Sequence, residues 1–317
     1  LGTRLDWKVS PVGTLSFTYS GNWLVQDYEQ HNFIMNTGTN PLAWGPDFTH
    51  GRPGSGTVNV NNTARYVRVR NNIFRLSYRH IGAKWDVTAN AGYNFSDQTY
   101  RAISHRQFEL SAARIQNATI DFDGFTDHLP GKVTVRNAAG QVLDPLQLRN
   151  YNFFLNGASG TRDNDSTAKS ARLDVKRKFF TDTTNWSLKS GVSTAEQYRA
   201  RRTSAFNPTY VGRDGIAGNA DDSVALAPVD LTNYALLDFH LPRNAPQPQF
   251  TSSRRAWELY EQYPQYFTTT TANRRTELRA DAVNTERITE RIDAVYLMAD
   301  TTFFRNRLRR VAGVRYE

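Results

Sequence analysis

Two stretches of this chain alternate for a dozen residues without a break, and that alternation restricts the folds open to it. From Thr14 to Val25 the odd positions carry Leu15, Phe17, Tyr19, Gly21, Trp23 and Val25, and every even position except Leu24 is polar. From Lys84 to Phe95, Trp85, Val87, Ala89, Ala91, Tyr93 and Phe95 alternate with Lys84, Asp86, Thr88, Asn90, Gly92 and Asn94. Eleven of these twelve odd positions are apolar and none is charged, where a 39% hydrophobic composition gives about five by chance. Period two is the signature of a strand with one apolar and one polar face. A dozen residues is longer than the ~5–6 of an ordinary strand and suits the ~9–11 that a tilted strand needs to cross a bilayer.

Other segments follow more loosely. Phe74, Leu76 and Tyr78 alternate with Arg75, Ser77 and Arg79, and Ala171, Leu173 and Val175 with Arg172, Asp174 and Lys176. Trp186, Leu188, Ser190 and Val192 alternate with Asn185, Ser187, Lys189 and Gly191, whereas Ile292 to Ala299 is apolar on both faces except for Asp293.

The spacing between these segments is itself patterned. Short turns fall at Ser10-Pro-Val-Gly13, Gly82-Ala83, Thr181-Asp-Thr-Thr184 and Arg305-Asn-Arg307, and long connections run over about 36–62, 103–165 and 201–287. Structureless loops beyond ~12–15 residues are uncommon in ordinary domains. Outer-membrane barrels have short periplasmic turns and long extracellular loops by construction. The expectation is therefore an all-β, antiparallel transmembrane barrel segment of about eight strands in four hairpins. Trp7, Trp85, Phe179, Phe180, Trp186, Phe303 and Phe304 gather at the short turns, as an interfacial aromatic girdle requires. On this reading Leu15, Phe17, Tyr19, Trp23, Trp85, Val87, Tyr93 and Phe95 face lipid, and Ser16, Thr18, Asp86, Thr88 and Asn90 face the lumen. Within the connections, Ser252 to Tyr263 begins with capping serines and stops before Pro264, which predicts a short helix. Phe108–Phe122 and Lys132–Arg136 are expected as β extensions.

Composition agrees with strands that hide their hydrophobicity in alternation. The mean hydropathy is −0.61, with 15 Tyr and 18 Phe, two Met and no Cys. No apolar run is long enough for a transmembrane helix, which needs 18 or so residues. Without Cys there is neither a disulfide framework nor a thiolate metal site. The net charge of +9 comes from Arg scattered through alternating segments. It forms no single basic stripe, so no nucleic-acid partner is expected.

The stretch Glu290-Arg-Ile-Asp-Ala-Val-Tyr-Leu-Met-Ala-Asp-Thr-Thr-Phe-Phe-Arg-Asn-Arg-Leu308, followed by Val311-Ala-Gly-Val-Arg-Tyr-Glu317, resembles a recurrent hairpin of TonB-dependent outer-membrane receptors. In those proteins a strand with a mid-strand Tyr ends in paired aromatics, a tight turn ends in Leu, and the next strand closes on Gly-x-Arg-Tyr-Glu. The rest of the chain resembles the family in organisation more than in motif. The resemblance implies a 22-stranded barrel filled by a plug and energised by the TonB complex, importing a scarce ligand such as a siderophore, a vitamin or an oligosaccharide. Both ends of the chain read as strand. No plug, no TonB box and no C-terminal strand ending in an aromatic residue is apparent, so the expectation is a barrel portion acting with the lipid bilayer, TonB and an imported ligand as partners.

Enzymatic constellations are absent from the sequence. The six histidines, at 31, 50, 80, 105, 128 and 240, never pair at metal-ligand spacing, and there is neither His-Glu-x-x-His nor Gly-x-Ser-x-Gly. Gly51, Gly54 and Gly56 crowd together inside a connection, without the strand-to-helix setting of a phosphate cradle. Asp214, Asn219, Asp221 and Asp222, spaced by Gly215 and Gly218, supply the hard oxygens of a candidate Ca²⁺ loop, or else form an Asp/Gly surface turn. Among the many aromatic residues of the connections, Trp44, His50, Tyr210, Trp257 and Tyr260 are the candidate ligand contacts. Two alternatives stand beside the receptor. One is a general porin or smaller outer-membrane barrel, and the other is a secreted, soluble β-sandwich that binds carbohydrate.

Overall fold

In the computed structural model, residues 1–126, 129–156, 159–181, 184–236, 247–303 and 307–317 are described. Eight strands form an antiparallel meander: β1 (Gly2–Ser10), β2 (Gly13–Asn36), β3 (Gly56–Ile81), β4 (Trp85–Arg101), β5 (Ser159–Phe180), β6 (Asn185–Phe206), β7 (Glu286–Phe303) and β8 (Leu308–Tyr316). Each pairs with its sequence neighbour, within one 14-stranded sheet that also takes in short strands of the connections. The chain is therefore all-β in its main architecture, with four hairpins as expected. Among the described residues β1 and β8 do not pair with each other, so the sheet is open. Parts of the third and fourth turns, with Phe304, His128 and His240, lie outside the described residues.

Successive hairpins are staggered. Gly13, His80, Val87, Val175, Ser190, Leu297 and Val314 share one hydrogen-bonded row. Gly13 is the first residue of β2, yet β8 starts at Leu308, six residues before Val314. Six steps from strand to strand thus shift the turn end by six residues, one per strand. With a rise of about 3.3 Å and a strand spacing of about 4.8 Å, that stagger tilts the strands by about 35°.

The inner strands are longer than their alternation indicated. β2 and β3 run for 24 and 26 residues, β5 and β6 for 22 each. The connections shrink accordingly, to 37–55, 102–158 and 207–285. Along the extra length the apolar residues no longer keep to one face (Phe33, Ile34 and Met35 are consecutive, and Val67 and Val69 change sides), which breaks the period-two signal while backbone pairing continues. On the face carrying Leu15 and Leu76 it is knit by ion pairs. Arg70 Nε lies 2.7 Å from Asp97 Oδ1, Arg101 Nη2 lies 2.6 Å from Asp163 Oδ2, and Arg202 Nη2 lies 3.3 Å from Asp165 Oδ2.

A conventional hydrophobic core exists, but it belongs to the connections. Val58 and Val60 at the far end of β3 pack with Phe108, Ile115, Ile120, Leu148, Tyr151, Phe154, Tyr210, Leu231 and Leu259. Register puts Val58, Val60 and Ala64 on the same face of β3 as Phe74, Leu76 and Tyr78, so this cap leans on the upper part of that face. Strand Leu110–Thr126 continues the sheet beside the top of β3, where β4 has ended, and pairs in turn with strand Leu129–Arg136. Both were expected as β extensions. Helix α1 (Ser253–Gln262) also forms as expected, its Ser252 hydroxyl accepting from the Arg255 N–H, and it buries Ala256 and Leu259. Helix α2 (Thr271–Val283), capped by Thr270, was not anticipated.

Glu29 ties the cap to the strands. Its carboxylate accepts from Asn62 Nδ2 at 3.2 Å and Asn233 Nδ2 at 3.0 Å, and Asn62, fully buried, also donates to the Thr251 carbonyl. The neighbouring His31 and these amide donors hold the Glu29 carboxyl below its ordinary value against the effect of burial.

Candidate functional site

The two faces of the meander differ in chemistry. On one, register aligns Leu5, Phe17, Leu76 and Ala91, then Trp7, Leu15, Tyr78, Ala89, Leu173, Val192, Val295 and Tyr316, then Val87, Val175, Leu297 and Val314. All eight side chains expected to face lipid lie on this one face of the sheet. Near the turns this apolar band has no second layer over it among the described residues. Leu173, Val192, Leu297 and Val314 are exposed, and Trp23 is 72% exposed. An open trough of about 710 Å³ follows the band over the small side chains of Ala89, Ala91 and Ala171, from Leu15 to Tyr316.

The upper margin of the band tracks the staggered turns. Above the basal residues, the first charged side chain on this face lies 11 residues from the turn on β3 (Ile81 to Arg70) and 12 on β4 (Trp85 to Asp97). It lies 11 residues away on β5 (Phe180 to Lys169), 11 on β6 (Asn185 to Glu196) and 10 on β7 (Phe303 to Asp293), and 14 on β2 (Gly13 to Asp27). Aromatic rings bracket the band. Phe179 stacks on Trp186 at 3.8 Å beside the third turn, and the Arg177 guanidinium lies over both Trp85 and Phe179. Trp23 and Phe95, each ten residues from its turn (Gly13, Trp85), stand at the opposite margin, in rows that already hold polar partners such as Arg70 and Asn72.

The other face is polar and cationic. On β2 to β7 it carries ten basic side chains (Arg65, Arg75, Arg79, Arg162, Arg172, Lys176, Lys178, Lys189, Arg199, Arg201) against five acidic ones (Asp86, Asp174, Glu286, Glu290, Asp300). One contact here explains the mid-strand Tyr. Asp174, Gly191 and Tyr296 are direct neighbours across β5, β6 and β7, and the Tyr296 hydroxyl donates to Asp174 across the gap that glycine leaves.

At the upper end of the polar face lies a cavity of about 200 Å³. Tyr100, Arg162 and Thr203 form one of its rows, with the Arg162 guanidinium 5.3 Å from the centre of the Tyr100 ring. Arg65 stands on β3 beside it, its Nε 3.6 Å from Glu109 Oε1, beyond hydrogen-bond reach. That Nε is buried without a hydrogen-bond partner. Burial pushes the Glu109 carboxyl up, while Arg65 and Arg162 pull it down. Sequence reading missed this group because Arg65, Tyr100, Glu109 and Arg162 come from distant segments with no local motif; only strand pairing assembles them.

The candidate ligand contacts separate into two groups. Trp44 is 72% exposed on the cap, and His50 sits near it with Nε2 2.8 Å from Asp123 Oδ1. Tyr210 is buried against Phe154 and Phe267, and burial pushes its phenol up to about 12. Trp257 and Tyr260 pack around Phe108 and Phe206, so these three rings hold the cap together. In the Asp/Gly loop the oxygens turn to the loop's own donors. Asp221 accepts from the Arg213 and Asp214 N–H groups, Asp222 from Gly218 N–H, Asp214 from Ile216 N–H and Asn219 Nδ2, and Asn219 from Asp221 N–H. Among the described residues no three His, Cys, Asp or Glu side chains gather to hold a metal ion.

No family model, no curated protein and no solved structure matches the chain.

Proposed function

We propose that the meander is a sector of an outer-membrane β-barrel belonging to a TonB-dependent receptor, a non-enzymatic importer of a scarce ligand. The observation that carries the membrane part is the apolar band, which ends 10 to 12 residues from the turn on five consecutive strands despite the stagger between them. A soluble protein has no reason to keep charge off one face to a constant height above tilted turns. A bilayer imposes that height, because charge in hydrocarbon is expensive. From Trp85 to Phe95, ten residues tilted by about 35° rise about 27 Å, close to the ~25 Å apolar band of such barrels. Free edges on β1 and β8 call for further strands, since unpaired backbone groups are not tolerated in lipid.

The receptor part is supported by the hairpin built from Glu290–Glu317 and by the large cap formed from the long connections. In this reading the cap is extracellular, the short turns are periplasmic, the polar face lines the lumen, and coupling to TonB runs through a plug. The test is sidedness on intact cells carrying the full-length receptor. A membrane-impermeant thiol reagent should label Ser55→Cys and Ala217→Cys and leave Ala83→Cys untouched. Labelling of Ala83→Cys alone would invert the topology.

A further inference from the structure

We infer that the cavity at the upper end of the polar face binds a small anion, a carboxylate- or phosphate-bearing ligand, with Arg65 and Arg162 as its anchors. The inference rests on reading that face as the lumen of a receptor, and it adds the chemical class of what is taken up. Two arginines line this cavity beside a single carboxylate, Glu109, whose charge acts on both but which does not hydrogen-bond Arg65. Its contact with Arg65 is 3.6 Å, and Arg65 Nε is buried without a hydrogen-bond partner. The Arg65 guanidinium meets the Tyr28 hydroxyl and is partly exposed, but its Nε–H lacks a partner, which a planar anion supplies in the fork geometry that Arg offers. The Tyr100 hydroxyl adds a neutral donor at the wall. Beneath the cavity the excess of basic over acidic side chains, ten against five, extends down the whole polar face. A cleft lined by one sign of charge concentrates ligands of the other. A neutral oligosaccharide gains nothing from this arrangement.

The experiment is calorimetric titration of the full-length receptor in detergent with citrate, with inorganic pyrophosphate, and with a neutral trisaccharide. Binding of citrate, pyrophosphate or both, with none of the sugar, is expected, and the better of the two anions identifies the charged group. Arg162→Gln and Arg65→Gln should each weaken that anion at least tenfold. Arg162→Lys, which keeps the charge and loses the fork, should fall between, and Glu109→Gln should tighten binding by removing the competing carboxylate. Equal binding of the sugar, anion affinity unmoved in both Arg→Gln variants, or no anion binding by a receptor that is folded would each overturn the inference. Heat-modifiable migration on the same samples, the usual signature of an intact barrel, keeps the two readings apart. A folded barrel without anion binding sinks only the ligand class, whereas anion binding by a chain that is soluble without detergent sinks the receptor and leaves the site.

Discussion

Placing an arginine at Ala91 tests the membrane reading at its most sensitive point. Ala91 lies on the apolar face between Leu76 and Ala171, six residues into β4, which begins at Trp85. A strand tilted by about 35° gains about 2.7 Å of height per residue, so Ala91 sits about 16 Å above the turn, near the middle of a band about 27 Å tall. An arginine at the midplane of a transmembrane barrel costs ~2–4 kcal/mol, falling to ~0–1 near the interfaces. Val87, two residues from Trp85, is about 5 Å above the turn and should tolerate Arg at the lower figure. Thr88, on the polar face beside Arg79, should tolerate it within ~0.5 kcal/mol. The assay is urea titration of the full-length receptor folded into liposomes, with heat-modifiable migration as readout. A cost of about 3 kcal/mol changes the folding equilibrium by roughly 100-fold. In the structure of this chain Ala91 is exposed, so a protein that keeps this face in water predicts almost no cost. A flat profile across positions 87, 88 and 91 would refute the reasoning.

Gly191→Val should cost ~1–3 kcal/mol of the stability of the meander, because a side chain there meets Tyr296 and Asp174; Ser193→Val two residues away serves as control, and equal costs in chemical unfolding would deny Gly191 its role as the gap under Tyr296. Glu29 is held below its ordinary value by His31 and its amide donors, so the stability it gives is present above the unfolded glutamate pKa and is lost as pH falls through the lowered folded value. Limited proteolysis of the cap should accelerate across that acid window in the wild type, and Glu29→Gln should remove this part of the pH dependence. Phe108→Ala, which empties the centre of the aromatic cluster, should cost ~3–5 kcal/mol, seen as cap proteolysis at neutral pH with the strand meander intact.

How much was legible depended on whether the information was local. Alternation at Thr14–Val25 and Lys84–Phe95 located strands and faces, because side chains on a strand point alternately to its two sides whatever surrounds it. The short turns could be read in the same way, and the capping serine of α1 marked its start. From Tyr66 to Asn72 the apolar positions, Val67 and Val69, fall on the opposite face from Phe74, Leu76 and Tyr78, so the alternation changes phase within one strand. The true length of β3 was then invisible, since backbone hydrogen bonds and ion pairs such as Arg70–Asp97 sustain the strand there. Helix α2 was missed for a related reason. Its sequence, TANRRTELRADAV, has few apolar residues to set a helical stripe, and its buried Glu277 is held by Arg274 and the Asn207 N–H.

The sequence by itself determined that the chain forms a one-sided antiparallel meander of eight strands, because strand faces and hairpin turns are encoded within ten or so residues. Only the tertiary structure decided the rest. Register set the one-residue stagger and turned separate alternations into a band of constant height. Packing took Tyr210, Trp257 and Tyr260 from candidate ligand contacts into the core of the cap. The pairing of β3, β4 and β5 brought Arg65, Tyr100 and Arg162 around Glu109. These are long-range relations: Arg65 and Arg162 are 97 positions apart, and no local propensity records which strand lies beside which.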